Sequence, residues 1–252
     1  MIRVGRGPDL AAIERLAIAA WPALETASVD GWLWRYSGGG SKRANSTATV
    51  RFTGQDLDQS IDEIEQRYRA KGGVPRFQIF QASEPSGLDA LLAARGYARI
   101  EPCLTMTKAV VTAYTRPAAT ECSATPAPAW LEVYLGSITP NRRAINRLIL
   151  ERAAEPRVYV SCQRDGQVIS AGMGVVRGGL AIIECMATRE AARRQGGAQS
   201  VLAGIEAWAA ENGAHTICLQ AVADNTPAIA LYQRYGFITA GRYHFRVRGT
   251  AS

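Results

Sequence analysis

The order of predicted helices and strands nearly repeats once along this chain of 252 residues. Two glycines, Gly96 and Gly236, each follow a predicted short helix, and aligning them aligns residues 88–97 with residues 228–237. In both segments an aromatic residue follows the glycine, where it can pack back on the last helical turn. The chain is therefore expected to form two similar halves, and features found in only one half are expected to report on function.

A change in composition separates these halves. Proline, alanine and threonine are concentrated between residues 114 and 128, and such clusters are typical of loops and linkers. We therefore predict one domain over residues 1–112, a linker over residues 113–129 and a second domain over residues 130–252.

The cysteines and the apolar runs indicate the cellular setting. The five cysteines are odd in number and widely spaced and contain no Cys-x-x-Cys pair, so neither a disulfide framework nor a zinc site is predicted. No stretch has the apolar core of a signal peptide or approaches the roughly 20 apolar residues of a membrane span. We expect a cytoplasmic protein without a metal site or membrane contact.

The net charge of +7 and the pI of about 9.4 require nucleic acid to be considered as a partner. The basic residues are scattered along the chain, however, and all but Lys42, Lys71 and Lys108 are arginines. Biased composition explains this pattern as well as polyanion binding does. We therefore favour partners other than nucleic acid, and both a monomer and a homodimer remain compatible with the sequence.

One loop in the second half has the properties of a phosphate site. Residues 193–198, Arg-Arg-Gln-Gly-Gly-Ala, lie between a strand-like run over 180–188 and an amphipathic helix over 201–209. Glycines allow close backbone approach, and the first N–H groups of a helix lack intrahelical acceptors at its positive end. Two arginines add forked donors that match phosphate oxygens. The loop predicts an anion site at a helix start.

The second half, over about residues 131–247, resembles the GNAT superfamily of N-acetyltransferases. Arg193, Gly196 and Ala198 match the superfamily's pyrophosphate-loop pattern Arg/Gln-x-x-Gly-x-Gly/Ala. Residues 225–237 match its second signature, Asn-x-x-Ala-x-x-Leu-Tyr-x-x-x-Gly-Phe, almost in full. Both signatures occur in the expected order and on the expected elements.

The resemblance implies a mixed α/β (α+β) fold of two GNAT-like domains, each a mixed, mostly antiparallel sheet flanked by helices. The first domain has no counterpart of the loop and is expected to be degenerate. The second is expected to transfer acetyl from acetyl-CoA to a primary amine by direct attack in a ternary complex. The expected acceptor is a small-molecule or peptide amine, whose identity the fold does not specify.

By this resemblance, a strand end, the loop and a helix start would bind coenzyme A. Backbone groups at the strand end would pair with the pantetheine arm and orient the thioester carbonyl. Asn225 could cap its helix, contact the cofactor, or do both. The expected cofactor-binding residues are Met186, Ala187, Thr188, Arg193, Arg194, Gln195, Gly196, Gly197, Ala198, Gln199, Asn225 and Tyr232.

Two residues are candidates for catalysis. A phenol at Tyr232 can donate a proton to the leaving thiolate, and the repeat has Leu92 at this position, so packing does not demand a hydroxyl. The alternative role of Tyr232 is packing against Phe237. Glu184 is the candidate general base, directly or through water, and its alternative is an outward-facing charge on a strand.

The first half contributes candidates for an acceptor pocket. Trp34 lies on a strand with alternating aromatic residues, which could equally be core, and Arg43 and Asn45 follow a run of three glycines. These three residues are the predicted acceptor-binding set. Two other classes of function stay open, a non-catalytic acyl-CoA sensor and a nucleic-acid-binding protein built on the same scaffold.

Overall fold

The computed structural model describes residues 9–111 and 116–249. The predicted domain end at residue 112 and the first residues of the predicted linker, 113–115, lie outside the described residues. None of the described helices is long and apolar enough to cross a bilayer.

Helices and strands alternate in both halves. The first half contains α1 (Leu10–Ala20), β1 (Glu25–Val29), β2 (Trp32–Tyr36), β3 (Thr47–Ala48), α2 (Leu57–Ala70), β4 (Arg76–Phe80), α3 (Leu88–Ala94) and β5 (Ala98–Ala109). The second half contains β6 (Thr120–Ser123), α4 (Pro128–Gly136), α5 (Pro140–Glu151), β7 (Arg157–Arg164), β8 (Gln167–Arg177), β9 (Leu180–Thr188), α6 (Gly197–Glu211), β10 (Thr216–Val222), α7 (Thr226–Arg234) and β11 (Ile238–Val247). This is the mixed α/β fold that the sequence predicts.

Within the described residues, one mixed sheet of 11 strands runs across both halves, in the order β1-β2-β3-β4-β11-β5-β10-β9-β8-β7-β6. The last strand of each half is exchanged, because β11 lies beside β4 and β5 lies beside β10. The two exchanged strands also pair with each other, antiparallel, with Cys103 opposite Tyr243. Cys103 follows Gly96 by the same number of residues as Tyr243 follows Gly236. The two residues are therefore equivalent in the repeat, and a pseudo-twofold axis passes through their pair.

Helices cover both faces of the sheet. Neighbouring residues of β9 point to opposite faces, with Ile182 packed in a core cluster with α1, α4 and α5 and Ile183 packed in a cluster with α6. The helices α2 and α3 cover the first half on the same face as α6, over Trp32 and Phe77. The sheet is thus the middle layer of the molecule, with α1, α4 and α5 on one face and α2, α3, α6 and α7 on the other.

The internal repeat has matching backbone geometry. Gly96 and Gly236 have φ of +82° and +98°, the left-handed conformation that glycine adopts at helix ends. The amide of Tyr97 donates to the Leu92 carbonyl at 2.9 Å, and the amide of Phe237 donates to the Tyr232 carbonyl at 3.0 Å. Tyr232 and Leu92 therefore occupy equivalent positions in the two halves of the structure, as they do in the sequence comparison.

Some predicted boundaries differ from the structure. The sequence pattern of residues 44–52 predicts one strand, but the structure has only β3 there, because residues 43–45 form a 3-10 turn before it. Residues 120–123, within the predicted linker, form β6 and pair with β7. A strand of this length is too short to show the alternation of apolar and polar residues by which strands are predicted. The sequence pattern predicts one helix between the linker and β7, but two helices form there, since Pro128 and Pro140 each begin one.

Candidate active site

The strands β9 and β10 separate in the middle of the sheet. They pair in parallel only from Leu180 and Thr216 to Ile183 and Leu219, although both continue beyond this point. A β-bulge sets two residues of β9 opposite Gly172 of β8, and Cys185 at the bulge has φ of +58°. The ladder to β10 has ended by then, so backbone groups of residues 184–188 on that side are left for another partner. The predicted pantetheine-binding residues, Met186, Ala187 and Thr188, lie on this segment.

The predicted phosphate loop begins α6. Gly196 is the N-cap residue, with φ of +82°, and residues 193–196 are exposed. The first backbone bond of the helix runs from the Ser200 amide to the Gly196 carbonyl at 3.0 Å. The amides of the preceding first-turn residues therefore lack intrahelical acceptors, and an anion can take their place. The predicted loop residues Gly197, Ala198 and Gln199 carry these amides.

Tight packing fixes this helix start on the sheet. A Cβ at Gly197 would lie 2.4 Å from the Oγ of Ser170 on β8. The glycine pair therefore has two uses: Gly196 supplies the left-handed cap, and Gly197 lets the helix approach the strand.

Sequence reasoning missed Arg164, which holds the loop from the side. This residue ends β7 and donates from Nη1 to Oε1 of Gln195 at 2.6 Å and from Nη2 to the Gln195 carbonyl at 2.9 Å. The two residues are distant in sequence, and the loop pattern contains no signal for the contact. The hairpin turn that follows Arg164 could have placed it at the same end of the sheet as the loop.

Tyr232 packs against a neighbouring ring and also borders a cavity. Its ring packs edge-on against Phe237, with centroids 6.1 Å apart, and the residue also lines the cavity described below. Burial, with a smaller contribution from Glu184, raises the pKa of Tyr232 to about 12. Asn225 also has two roles: its Oδ1 accepts from the Ala228 amide at 3.3 Å as a helix cap, and it lines the same cavity.

A cavity of about 770 Å³ lies between the two halves. The bulge of β9, the end of β10 and Tyr232 form its second-half wall. The opposite wall is residues 38–43, a loop that we call the glycine loop. Cys185 also lines this space, but burial raises the pKa of its thiol well above the ordinary value, so it remains a protonated thiol rather than a nucleophile.

Arg43 of the glycine loop reaches across the cavity to Glu184. Its Nη1 donates to Oε1 at 2.7 Å and its Nη2 to Oε2 at 2.6 Å. Gln220 of β10 extends the network: its Oε1 accepts from Arg43 at 3.4 Å, and its Nε2 donates to Oε2 of Glu14 at 2.8 Å. Burial raises the pKa of Glu14 to about 7. The predicted base and the predicted acceptor-binding arginine are thus brought together.

The other two first-half candidates are placed differently. Asn45 lines the cavity and fixes the glycine loop, because its Nδ2 donates to the Gly39 carbonyl at 2.5 Å and its Oδ1 accepts from the Ser37 amide at 2.9 Å. Trp34 lies in the hydrophobic core under α2, stacked on Tyr36, and is not among the cavity residues.

The equivalent gap in the first half is closed by the chain itself. The pseudo-twofold axis and the strand registers put Ala48 at the position of Glu184. Beyond β3, the Glu84 amide donates to the Thr49 carbonyl at 2.8 Å, and the Phe52 amide donates to the Glu84 carboxylate at 3.0 Å. The first half therefore lacks the groove, the carboxylate and the tyrosine that the second half has.

A split between two parallel strands, facing an anion site at a helix start, defines an acetyltransferase of the GNAT type. The chain belongs to the family described as "Probable histone acetyltransferase Rv0428c C-terminal", whose model matches residues 8–247. It is 28% identical over 249 residues to the "Uncharacterized N-acetyltransferase YobR" of Bacillus subtilis (strain 168), covering 95% of this chain and 99% of YobR.

Solved structures share the fold at low sequence identity. A GCN5-related N-acetyltransferase from Kribbella flavida has a TM-score of 0.69 at 15% identity, with 98% of each chain covered. A tandem GNAT protein from the clavulanic acid biosynthesis pathway has a TM-score of 0.61 at 12% identity, with 82% of this chain and 76% of that chain covered.

Proposed function

We propose that this acetyltransferase binds acetyl-CoA between β9 and β10 and transfers the acetyl group to an amine held in the cavity. One observation carries the proposal: the two strands separate beside the cavity that Glu184 and Tyr232 line, at the end of β9 that leads into the phosphate loop, whereas the equivalent gap in the first half is closed. Acetyl-CoA, when bound, supplies the activated acetyl thioester.

The residues present suit this cofactor. The first-turn amides of α6, with Arg193 and Arg194, match the pyrophosphate, and the exposed loop leaves them accessible. The unpaired strand edge of β9 can hydrogen-bond an extended amide-containing arm in the way an added strand does. In this proposal Met186, Ala187 and Thr188 hold the arm, and Asn225 borders it where α7 begins.

Tyr232 acts as the general acid in this proposal. Because its pKa is raised to about 12, the phenol retains its proton at neutral pH and can donate it to the leaving thiolate. Its ring is held by Phe237, so little side-chain freedom has to be lost before the hydroxyl acts.

Glu184 orients the amine and takes its proton, directly or through water. Both carboxylate oxygens already accept from Arg43, but each oxygen has a second lone pair that can accept from an amine or a water. The first half, over residues 1–112, thereby supplies a wall of the acceptor site and an arginine that aligns the base.

Calorimetry with acetyl-CoA tests the cofactor site. The double variant Arg193→Gln/Arg194→Gln should weaken binding at least tenfold, because two charge-assisted contacts to phosphate are removed. The matched control is Arg147→Gln/Arg177→Gln, which removes the same charge from exposed positions outside the cavity lining and should bind normally. Absence of acetyl-CoA binding by the wild type would refute the proposal.

A released-CoA assay over an amine library tests the transfer step. We expect turnover of at least one amine by the wild type and loss of that turnover in the loop variant at subsaturating acetyl-CoA. Tight acetyl-CoA binding without turnover of any amine would instead indicate a non-catalytic acyl-CoA sensor.

A further inference from the structure

The wall of the cavity is unevenly charged. Of the described residues that line it, four are basic and two are acidic. The basic residues are Lys42, Arg43, Arg76 and Arg142, and the acidic residues are Glu101 and Glu184.

Both carboxylates already have a basic partner. Lys42 forms an ion pair with Glu101, and Arg43 forms the two-pronged pair with Glu184. Arg76 and Arg142 form no ion pair with any described residue and bind only backbone carbonyls. Arg76 donates from Nη1 to the Asn45 carbonyl at 2.9 Å, and Arg142 donates from Nε to the Gly40 carbonyl. Neither arginine therefore has a carboxylate of the described residues in direct contact, and the nearest negative charge that acts on Arg76, that of Glu101, is already paired with Lys42.

Arg142 binds the glycine loop directly, and Arg76 binds Asn45, which follows the loop. Asn45 connects the two contacts, because its side chain donates to the carbonyl of Gly39, next to Gly40. The loop is packed closely on α5: a Cβ at Gly40 would lie 2.7 Å from Oδ1 of Asn146. Arg76 also has a buried Nε without a hydrogen-bond partner, and burial lowers its pKa. The buried donor of Arg76 favours an anionic oxygen as ligand, and Arg142 is exposed and contacts no carboxylate of the described residues, so it is accessible to the same group.

The phosphate groups of the cofactor do not account for these two charges. The phosphate loop begins α6, which covers the opposite face of the sheet from α5, where Arg142 lies. Arg76 lies on β4, and three strands separate β4 from β9 in the sheet. The two arginines therefore belong to the acceptor side of the cavity.

We propose that the amine acceptor also carries an anionic group, a carboxylate or a phosphate, which binds Arg76 and Arg142 while its amine reaches Glu184. This inference rests on the proposed transfer reaction and names the class of its acceptor. Guanidinium groups present forked donors that fit both kinds of anionic group. A polyamine or a lysine-rich peptide is disfavoured, because the excess of positive charge in the cavity wall repels the additional positive charges that it carries.

Matched amines test the proposal with the wild-type enzyme. The released-CoA assay would compare amino acids with their carboxamides, phosphoethanolamine with ethanolamine, and both sets with spermidine and a lysine-rich peptide. We expect kcat/KM for an anionic acceptor to exceed that of its uncharged twin at least tenfold. The carboxylate and phosphate arms identify which anion is used.

Variants test the assignment to the two arginines. Arg76→Gln and Arg142→Gln should raise KM for the anionic acceptor at least tenfold and leave KM for its uncharged twin and the Kd for acetyl-CoA within twofold. Arg147→Gln, on the exposed side of the same helix α5, is the control and should change neither. Melting temperatures would show that each variant is folded.

The outcomes separate this inference from the proposed function. Preference for uncharged amines, spermidine or the lysine-rich peptide overturns the inference and leaves the transfer reaction intact. An unchanged preference in both arginine variants also overturns it. If acetyl-CoA binds but no anionic amine reacts, the acceptor class is wrong, whereas failure to bind acetyl-CoA contradicts the proposed function itself.

Discussion

Arg43 and Glu184, 141 residues apart in the chain, form a two-pronged ion pair across the cavity, with N–O distances of 2.7 and 2.6 Å. The side chains are 20% and 7% exposed, so water screens the pair only in part. The pair joins the first half of the chain to the proposed base of the second half.

Removal of this arginine should destabilise the fold. Arg43→Gln leaves Glu184 as a largely buried charge without its partner, and we expect the free energy of unfolding to fall by about 3 kcal/mol. The double variant Arg43→Gln/Glu184→Gln should recover part of this loss. Urea denaturation would measure both changes.

An exposed ion pair provides the comparison. Arg67 and Glu63 pair on the surface of α2 with both side chains at least 40% exposed, so Arg67→Gln should cost less than about 1 kcal/mol. Equal destabilisation by the two arginine variants would mean that the cavity pair has no special structural role.

Tyr232→Phe separates the acid role from the packing role. The phenyl ring keeps the contact with Phe237, so stability and the Kd for acetyl-CoA should stay near wild type while kcat falls about 100-fold. Tyr232→Leu copies the residue of the first half, Leu92, and should lose as much kcat. Wild-type kcat in Tyr232→Phe would remove the acid assignment.

The pH dependence of kcat gives a second test of the same residue. A phenol is protonated below its pKa, and burial raises the pKa of Tyr232 to about 12. Its proton should therefore remain available from neutral pH up to about pH 11. A loss of kcat between pH 8 and pH 10 that is absent in Tyr232→Phe would show that the phenol titrates earlier.

Arg164 should act on cofactor affinity rather than on chemistry. Arg164→Gln removes two donors that hold Gln195, and the looser loop should raise the Kd for acetyl-CoA about tenfold, as expected for loss of charge-assisted hydrogen bonds. At saturating acetyl-CoA, kcat should be nearly unchanged. Arg177→Gln, at the exposed end of β8, is the control, and an equal effect of both variants would point to net charge alone.

Glu14 should make the stability depend on pH. Burial raises its folded-state pKa from 4.5 to about 7, so between these values the folded protein binds the proton that the unfolded chain has lost. The stabilisation that protonated Glu14 contributes is complete below about pH 4.5. It is lost as the pH rises to about 7, so the free energy of unfolding falls by about 3 kcal/mol in total.

Glu14→Gln should remove this part of the pH dependence, since an amide does not titrate. Denaturation at pH 5, 6, 7 and 8 would compare the variant with wild type and with Glu151→Gln, at an exposed position on α5. An unchanged pH slope in Glu14→Gln would show that another group causes it.

Local signals in the sequence were enough to predict several elements and to indicate residues that lie beside the cavity. The helical spacing of apolar residues predicts a helix over residues 57–70, and α2 has these bounds, because Asp56 caps it through the Gln59 amide and Gly72 follows its end. The second signature places Asn225 and Tyr232 on one short helix beside the cavity. These features depend on residues close together in the chain, so periodicity and capping are sufficient to reveal them.

Long-range partners could not be predicted from the sequence. The strand patterns of β5 and β11 show which face is buried but not which strand lies alongside, so the exchange between halves left no signal. Strand alternation predicts that Arg35 lies on the face opposite Trp34, but not that it is fully buried and donates to Ser46 and Gln78. Such an arginine looks like a surface residue until its neutral partners are known.

The exchange of β5 and β11 makes the two halves interdependent. A chain cut between β5 and β6 would not release two self-sufficient modules, because each fragment would carry a final strand whose main partner belongs to the other fragment. The arrangement resembles two intertwined subunits that are joined in one polypeptide chain. Such a fusion permits one copy to lose its own groove and yet remain indispensable, because its last strand still completes the sheet beside β10, next to the open groove of the other copy.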